Sequence, residues 1–438
     1  MKISKFTSLS CRDGEVILFN SESEGLIVLD PKLEKIYREY ENNPTGLENV
    51  HPDFFNVLKT YRFVVPDDED EAEVLIQRWK IMDENSSQFG IIINPTLNCN
   101  LRCWYCYEPH KGSQIMTEAT RKKICSLIEN KTADPKLKML NVSFFGGEPL
   151  LFFKENVLPI LRFATNVCQS KGITIYSNFT TNAVLLTDEV LEVLNALPLS
   201  KKPTFQITLD GNRDIHDQIR VGTNKQPTYD TILTHIHAAL QYGNEVFARF
   251  NYTYDNISTF YDVLDDFIKL DLGRYADRFS IKFEHVWQDE DNLSQSKPLM
   301  REIHNAFEEA GFNVGTDDVH FRHTCYADSP RHAVINYNGD VFKCTARDFT
   351  TARREGILND DGQICWNEKY THRMTVKYGN VACRHCVILP ICNGGCTQNK
   401  LDADNLETCY RGMTEENKQI YLQTRIDEII SKRKKSMR

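Results

Sequence analysis

The sequence predicts an α/β protein of parallel βα units, a partial (β/α)6 TIM-type barrel, with a small α+β domain before it and a cysteine-rich domain after it. Three observations carry this reading. Short β-rich runs recur at 89–96, 141–145, 174–180, 204–209, 246–253 and 278–285. Stretches of helical periodicity lie between them, 117–130 and 187–197 among these. Past about residue 320 the alternation stops, and cysteine, glycine and turn residues take over. The expected domains are 1–88, 89–315, 316–413 and a tail, 414–438.

Within the first domain, 14–19 and 25–30 read as a strand pair around Asn20-Ser21-Glu22-Ser23, and 31–40 and 52–61 as helices. The acidic run Asp67-Asp68-Glu69-Asp70-Glu71 reads as a solvated linker or helix start. A last helix, 414–430, leads into the basic tail Lys432-Arg433-Lys434-Lys435, expected to be frayed and solvated.

The 438 residues, 41% of them hydrophobic, suffice for two or three domains with a sizeable core. A net charge of −9 argues against a nucleic-acid surface as the main business. No run of 18 apolar residues is present, so no membrane span is expected. The N-terminus lacks the apolar region of a signal peptide. Fourteen cysteines without an export signal imply a reducing, cytoplasmic compartment, where cysteines are more often metal ligands than disulfides.

Cys99, Cys103 and Cys106 stand in NPTLNCNLRCWYCYEPH, spaced C-x3-C-x2-C directly after the first strand. Chemistry in βα folds sits at that end of the strands. Three thiolates are odd in number and too closely spaced for a disulfide framework. They are one too few for a closed tetrahedral zinc site. They suit a [4Fe–4S] cube whose fourth iron stays open to a ligand. The second strand ends in Gly146-Gly147-Glu148-Pro149, the third in Thr180-Thr181-Asn182, and the fourth in Thr208-Leu209-Asp210-Gly211, followed by His216-Asp217 and Arg220.

Together these motifs resemble the radical S-adenosylmethionine (radical SAM) enzymes. The resemblance implies that S-adenosyl-L-methionine chelates the open iron through its amino and carboxylate groups. Reductive cleavage then releases a 5′-deoxyadenosyl radical that abstracts a substrate hydrogen. It assigns Gly146, Gly147, Glu148 and Pro149 to the methionine amino group. The stretch from Thr208 and Asp210 to Arg220 resembles the SLDG…HD…R stretch of peptide-modifying members, with threonine in place of serine at 208. By that likeness Thr208 contacts the ribose, and Arg220 pairs the methionine carboxylate. Asn182 would meet the ribose or that carboxylate, and Tyr105 would back the adenine. Plainer roles stand beside these: a tight turn at 146–149, helix caps at Asn182 and Asp210, a surface salt bridge at Arg220, packing at Tyr105. No catalytic side chain is assigned. The electron donor such enzymes imply is reduced flavodoxin or ferredoxin.

Seven further cysteines, Cys325, Cys344, Cys383, Cys386, Cys392, Cys396 and Cys409, resemble the SPASM extension of this family. The resemblance implies two auxiliary [4Fe–4S] clusters, three in all. Cys383, Cys386, Cys392 and Cys409 would close one, and Cys325, Cys344 and Cys396 would hold the other. The second either has an open iron or takes Asp317, Asp318, His320 or His323. A pair of zinc sites is the alternative reading of the spacing. Cys11, Cys125, Cys168 and Cys365 read as buried small apolar residues.

Members of this family commonly modify peptides or proteins. The expected function is a peptide maturase of a ribosomal-peptide pathway, forming a thioether or carbon–carbon crosslink or another oxidation. The alternative is an anaerobic sulfatase-maturating enzyme, which makes formylglycine; from another class, a multi-cluster electron-transfer protein. Some 88 residues precede the cysteine loop, and Thr345, with Asp348 further on, follows Cys344 where sulfatase maturases place an aspartate. Both features favour the first reading. The first domain bears a likeness to PqqD-like leader-recognition elements, whose strand edge would receive an extended precursor leader; a structural cap is the alternative.

Overall fold

The computed structural model describes residues 1–12, 14–84, 87–108, 110, 112–315, 325–403 and 405–436. It falls into two compact units, one of Met1–Glu84, Val319–Ser329 and Thr371–Arg438, the other of Asn85–Asp318 and Pro330–Tyr370. The strands of 330–370 thus group with the βα units.

The first unit opens with β1 (Lys2–Ile3), β2 (Thr7–Arg12), β3 (Glu15–Asn20) and β4 (Leu26–Leu29); the last three form an antiparallel sheet in that order. Helices α1 (Pro31–Tyr40), α2 (Pro44–Val50) and α3 (Pro52–Thr60) follow, then β5 (Val64–Val65), which pairs with β1, and α4 (Glu71–Glu84). Asp30 caps α1 by accepting from the Lys32 and Leu33 amides, and proline at the first helical position suits both α1 and α3. The run Val16-Ile17-Leu18-Phe19 is apolar throughout because β3 is covered on both faces. Leu18 packs with Leu29, Tyr37, Phe54 and Leu58. Ile17 and Phe19 pack with Ile388, Ile391, Leu422 and Ile426.

In the second unit the strands are β6 (Gln88–Ile93), β7 (Met139–Phe144), β8 (Thr174–Thr181), β9 (Thr204–Leu209), β10 (Glu245–Tyr252), β11 (Phe279–His285), β12 (Asn313–Gly315), β13 (His332–Ile335), β14 (Asp340–Phe342), β15 (Gly356–Leu358) and β16 (Ile364–Trp366). They lie in one sheet, ordered β12-β11-β10-β9-β8-β7-β6-β13-β14-β15-β16. Pairing is parallel from β12 to β13 and antiparallel beyond. Helices α5 (Glu118–Thr132), α6 (Leu158–Lys171), α7 (Asp188–Asn195), α8 (Arg213–Ile219), α9 (Tyr229–Gln241), α10 (Phe260–Lys269) and α11 (Leu293–Glu309) connect them. Alternate strand residues, such as Val142, Phe144, Phe179, Phe205, Ile207, Phe250 and Phe283, enter one apolar core. Asn141, Ser143 and Asn178 take the other face, where the Asn178 amide donates to Asn141 at 2.7 Å. All six expected strands are present.

The structure adds to one expectation and corrects three. Past 320 the βα alternation does stop, but the sheet does not: β13 joins β6 in parallel and buries Ala333, Val334 and Ile335. Its four residues are too short a run to stand out from loop. Glu71 is not solvated; it opens α4 while buried, with its carboxylate on the Ser4 hydroxyl and the Lys5 amide. The basic tail does not fray, because the last helix runs on to Ser436, and lysine and arginine are good helix formers. Cys168 is buried as expected, but Cys11 and Cys365 are exposed, each on the outermost strand of its sheet.

After β16 come α12 (Glu368–Gly379), α13 (Val381–Arg384), α14 (Leu389–Cys392), α15 (Thr397–Ala403) and α16 (Glu415–Ser436). No described helix is long and apolar enough to cross a membrane.

Candidate functional site

Cys99, Cys103 and Cys106 lie in the loop that leaves β6, and neighbouring loops hold it at several points. The Arg102 amide donates to the Val221 carbonyl at 2.8 Å, and the Thr223 amide to Asn100 at 2.9 Å. From the β7 side, the Gly147 amide donates to Thr96 at 3.1 Å and the Glu148 amide to Asn98 at 2.8 Å. This close approach explains the glycine pair. Gly146 has φ +104°, and a Cβ there would stand 2.3 Å from the Thr96 carbonyl oxygen; at Gly147 it would stand 2.1 Å from that of Asn98. The glycines let two loop backbones touch.

Glu148 is wholly buried, and its carboxylate is committed within the fold. It accepts from the Thr181 hydroxyl (2.8 Å), the Asn182 amide (2.7 Å) and the Leu150 amide (2.9 Å). It therefore ties the end of β7 to the end of β8 and caps the turn that starts at Pro149. Burial pushes its acidity down, while the three donors oppose that. Asn182 reaches the cysteine loop: its side-chain amide donates to Asn100 at 2.7 Å and to the Cys99 sulfur at 3.5 Å. Its oxygen accepts from the Val184 amide, so it caps and positions at once.

At the end of β9, Asp210 and Arg220 form a buried ion pair at 3.2 Å. The Tyr105 hydroxyl donates to both Asp210 oxygens, at 2.9 and 2.8 Å, and receives from Arg220 (3.1 Å) and from Asn251 (3.0 Å). Arg220 is thus no surface pair. One of its terminal nitrogens is engaged, while its buried Nε has no partner among the described residues. Thr208 is buried two residues before Asp210. Asp217 caps α9, accepting from the Thr228 and Tyr229 amides at 2.7 and 2.9 Å. His216 is fully buried, and its surroundings hold it neutral, burial first and Arg220 second.

Burial also raises the three thiols, Cys99 to about 12 and Cys106 to about 11. Such sulfurs ionise only against a strongly cationic core, as a metal cluster supplies.

Two residues at the end of β10 escaped the sequence reading: Asn251, on Tyr105, and Asn256, whose side chain donates to the Asp210 and Asn251 carbonyls at 3.1 Å each. Their position just past a strand end was the available signal. Glu108, two residues after Cys106, was also missed. It is buried with neither carboxylate oxygen bonded, and burial together with Asp348 pushes it up to about 8.

The four cysteines of the first expected auxiliary set line one cavity of about 40 Å³, roomier than one water requires. Cys383 is on α13, whose cap Asn380 accepts from the Cys383 amide at 3.0 Å; Cys386 follows, Cys392 ends α14, and Cys409 precedes Tyr410. Asn393, Gly394 and Gly395 all have positive φ, and a Cβ at Gly395 would collide with the Tyr410 ring. That turn brings the chain back past the cavity. Four cysteine sulfurs on one hollow match the donor set of a [4Fe–4S] core. Among the described residues no three Cys, His, Asp or Glu side chains converge on one ion-sized point. A cubane spreads its irons over separate corners and does not need such convergence.

Cys325 precedes a short turn, Tyr326–Asp328, Cys344 follows β14, and Cys396 precedes α15. The candidate fourth ligands Asp317, Asp318, His320 and His323 lie outside the described residues. The Thr345 carbonyl accepts from the Tyr107 hydroxyl. Asp348 accepts from the Thr350 hydroxyl at 2.8 Å.

Residues 93–269 match the family model described as "Radical SAM superfamily". The chain therefore carries a radical SAM domain, seated on the parallel strands with its cysteine loop at their C-terminal ends. It is 26% identical over 163 residues to a cysteine-type anaerobic sulfatase-maturating enzyme of Clostridium novyi, covering 35% of this chain and 41% of that protein. It is 23% identical over 329 residues to the radical SAM cyclopropyl synthase TigE of Paramaledivibacter caminithermalis, covering 68% and 65%. Among solved structures it resembles Streptococcus suis SuiB bound to S-adenosylmethionine, with a TM-score of 0.51 and 17% identity over 91% of this chain and 96% of that one. SuiB bound to precursor peptide SuiA gives a TM-score of 0.50.

Proposed function

We propose that this protein is a radical SAM peptide maturase with a precursor peptide as substrate. One observation carries the reading: the half-buried cysteine loop is gripped by the Gly146–Pro149 segment, by Asn182 and by 220–223, so three βα loops of the domain hold the segment that carries Cys99, Cys103 and Cys106. We assign Cys99, Cys103 and Cys106 as ligands of the [4Fe–4S] cluster that binds S-adenosylmethionine. Cys383, Cys386, Cys392 and Cys409 are assigned to an auxiliary [4Fe–4S] cluster. When bound, the first cluster and S-adenosylmethionine supply a carbon-centred radical that takes hydrogen from a peptide carbon.

The chain's own residues orient. Asn182 steadies the Cys99 sulfur. Glu148 fixes the two strand ends between which the loop is clamped. Asp210 and Tyr105 hold Arg220 in place, its buried Nε–H left to donate to an anionic group such as a carboxylate.

SuiB is described bound to a precursor peptide, which supports a peptide substrate, and TigE is named a radical SAM cyclopropyl synthase, which supports a bond-forming reaction. The N-terminal sheet supports leader recognition, since β4 pairs only with β3 among the described residues and offers its outer edge. A formylglycine-forming activity on a sulfatase is the second reading, favoured by the match to the Clostridium novyi enzyme.

Anaerobic protein with dithionite and S-adenosylmethionine is expected to yield 5′-deoxyadenosine. The triple change of Cys99, Cys103 and Cys106 to alanine is expected to abolish it and to remove the iron of one cubane. Full yield from the triple variant overturns the assignment. A sulfatase peptide turned over faster than any precursor peptide selects the second reading.

A further inference from the structure

Lys400 is a buried lysine beside the cysteines of the first auxiliary set. It sits on α15, one turn beyond Cys396, and is only 2% exposed. Among the described residues no carboxylate forms an ion pair with it; the carboxylate of Asp328, the acid whose field it shares with Lys377 and Arg373, accepts from the Thr397 hydroxyl instead. A buried ammonium without an anion is costly.

The groups beside Lys400 are the cysteines. A Cβ built at Gly394 would stand 3.1 Å from the Lys400 nitrogen and 3.8 Å from the Cys383 sulfur, so the two flank one point of the backbone. Gly394 lines the four-cysteine cavity, and it also lines the adjoining small pocket formed by Lys400, Cys383 and Asn380. Of the charges acting on Cys383, Lys400 favours the thiolate most, and it acts on Cys392 as well. Arg411 and Lys418 also line the cavity; Arg411, which donates to the neutral Tyr410 hydroxyl at 2.8 Å, is the leading cation on Cys392, while Lys418 pairs with Glu415.

We infer that Lys400 is a positioning residue for the auxiliary cluster of Cys383, Cys386, Cys392 and Cys409, raising its reduction potential by holding a buried positive charge beside it. The inference rests on the cluster assignment above. Four thiolates around a [4Fe–4S] core leave net negative charge, and one-electron reduction adds to it. A fixed cation stabilises the reduced state more than the oxidised one, so it raises the potential.

The test uses the full chain in the Cys99, Cys103 and Cys106 to alanine background, which removes the first cluster's signals. Dithionite supplies the electron, and electron paramagnetic resonance follows the reduced clusters against a poised potential. Lys400→Met is expected to move one signal to a more negative potential, and Lys400→Arg to restore it. Iron lost in Lys400→Met but kept in Lys400→Arg also supports the charge role. An unchanged potential at full iron content, or iron lost equally in both variants, overturns it. A Cys383→Ala/Cys386→Ala protein with undiminished iron overturns the cluster assignment itself, a separate outcome that takes this inference with it.

Discussion

At the scale of single residues, the site is a set of committed contacts. The Asp210–Arg220 pair is buried, so removing one partner strands a charge. Asp210→Ala is expected to cost about 3–5 kcal/mol in urea unfolding, whereas Tyr105→Phe, which removes one hydroxyl, costs about 1 kcal/mol. Gly147→Ala forces a methyl into the Asn98 carbonyl; it is expected to cost about 1–3 kcal/mol and to lower iron content after anaerobic reconstitution. His332 packs against Gly90 with burial, and then Lys343, holding it down to about 3 from 6.5. A depressed histidine contributes stability above its unfolded value and loses it as pH falls toward the folded value. The protein should therefore weaken between pH 6.5 and 3, and His332→Gln should flatten that slope in denaturation midpoints measured across the range. Sequence reading found the cysteines, Glu148, Asn182, Asp210 and Arg220, because they sit in short motifs at strand ends. It did not reveal what they touch within the protein. The partners of Glu148 are Thr181 and Asn182, 33 and 34 residues away, and spacing along the chain does not report such contacts.

At the scale of elements, β6 to β11 were legible because each is a compact β-rich run followed by a helical stretch. β13 was not, since a four-residue strand acquires its identity from β6 beside it. α16 shows the same dependence. Its residues Leu422 and Ile426 are buried against Ile17 and Phe19 of β3, far earlier in the chain. Leu422→Ala should cost about 2–5 kcal/mol, read as a lower denaturant midpoint; a change near zero would mean that the β3 face is not covered by α16 in solution.

At the scale of the whole molecule, the first sheet belongs to a unit that also holds Thr371–Arg438. The structure gives its sheet a second covered face, from segments near residues 388–391 and 422–426. An isolated piece comprising 1–88 would expose Ile17 and Phe19 and is expected to aggregate or unfold on dilution from urea. Leader binding is therefore best measured on the full chain, as quenching or anisotropy of a labelled precursor peptide. Competition by the leader segment alone is the expected outcome; competition only by the modified core would place recognition at the βα loops instead.

The class of cofactor was readable from the chain because thiol spacing and strand-end motifs are local properties, carried by a few neighbouring residues. The availability of each polar group was settled by folding: Glu148 spent on two strand ends, Arg220 half-engaged by Asp210, Lys400 buried beside the cysteines. Burial and long-range pairing set these states, and both arise from the packing of segments that lie far apart in sequence.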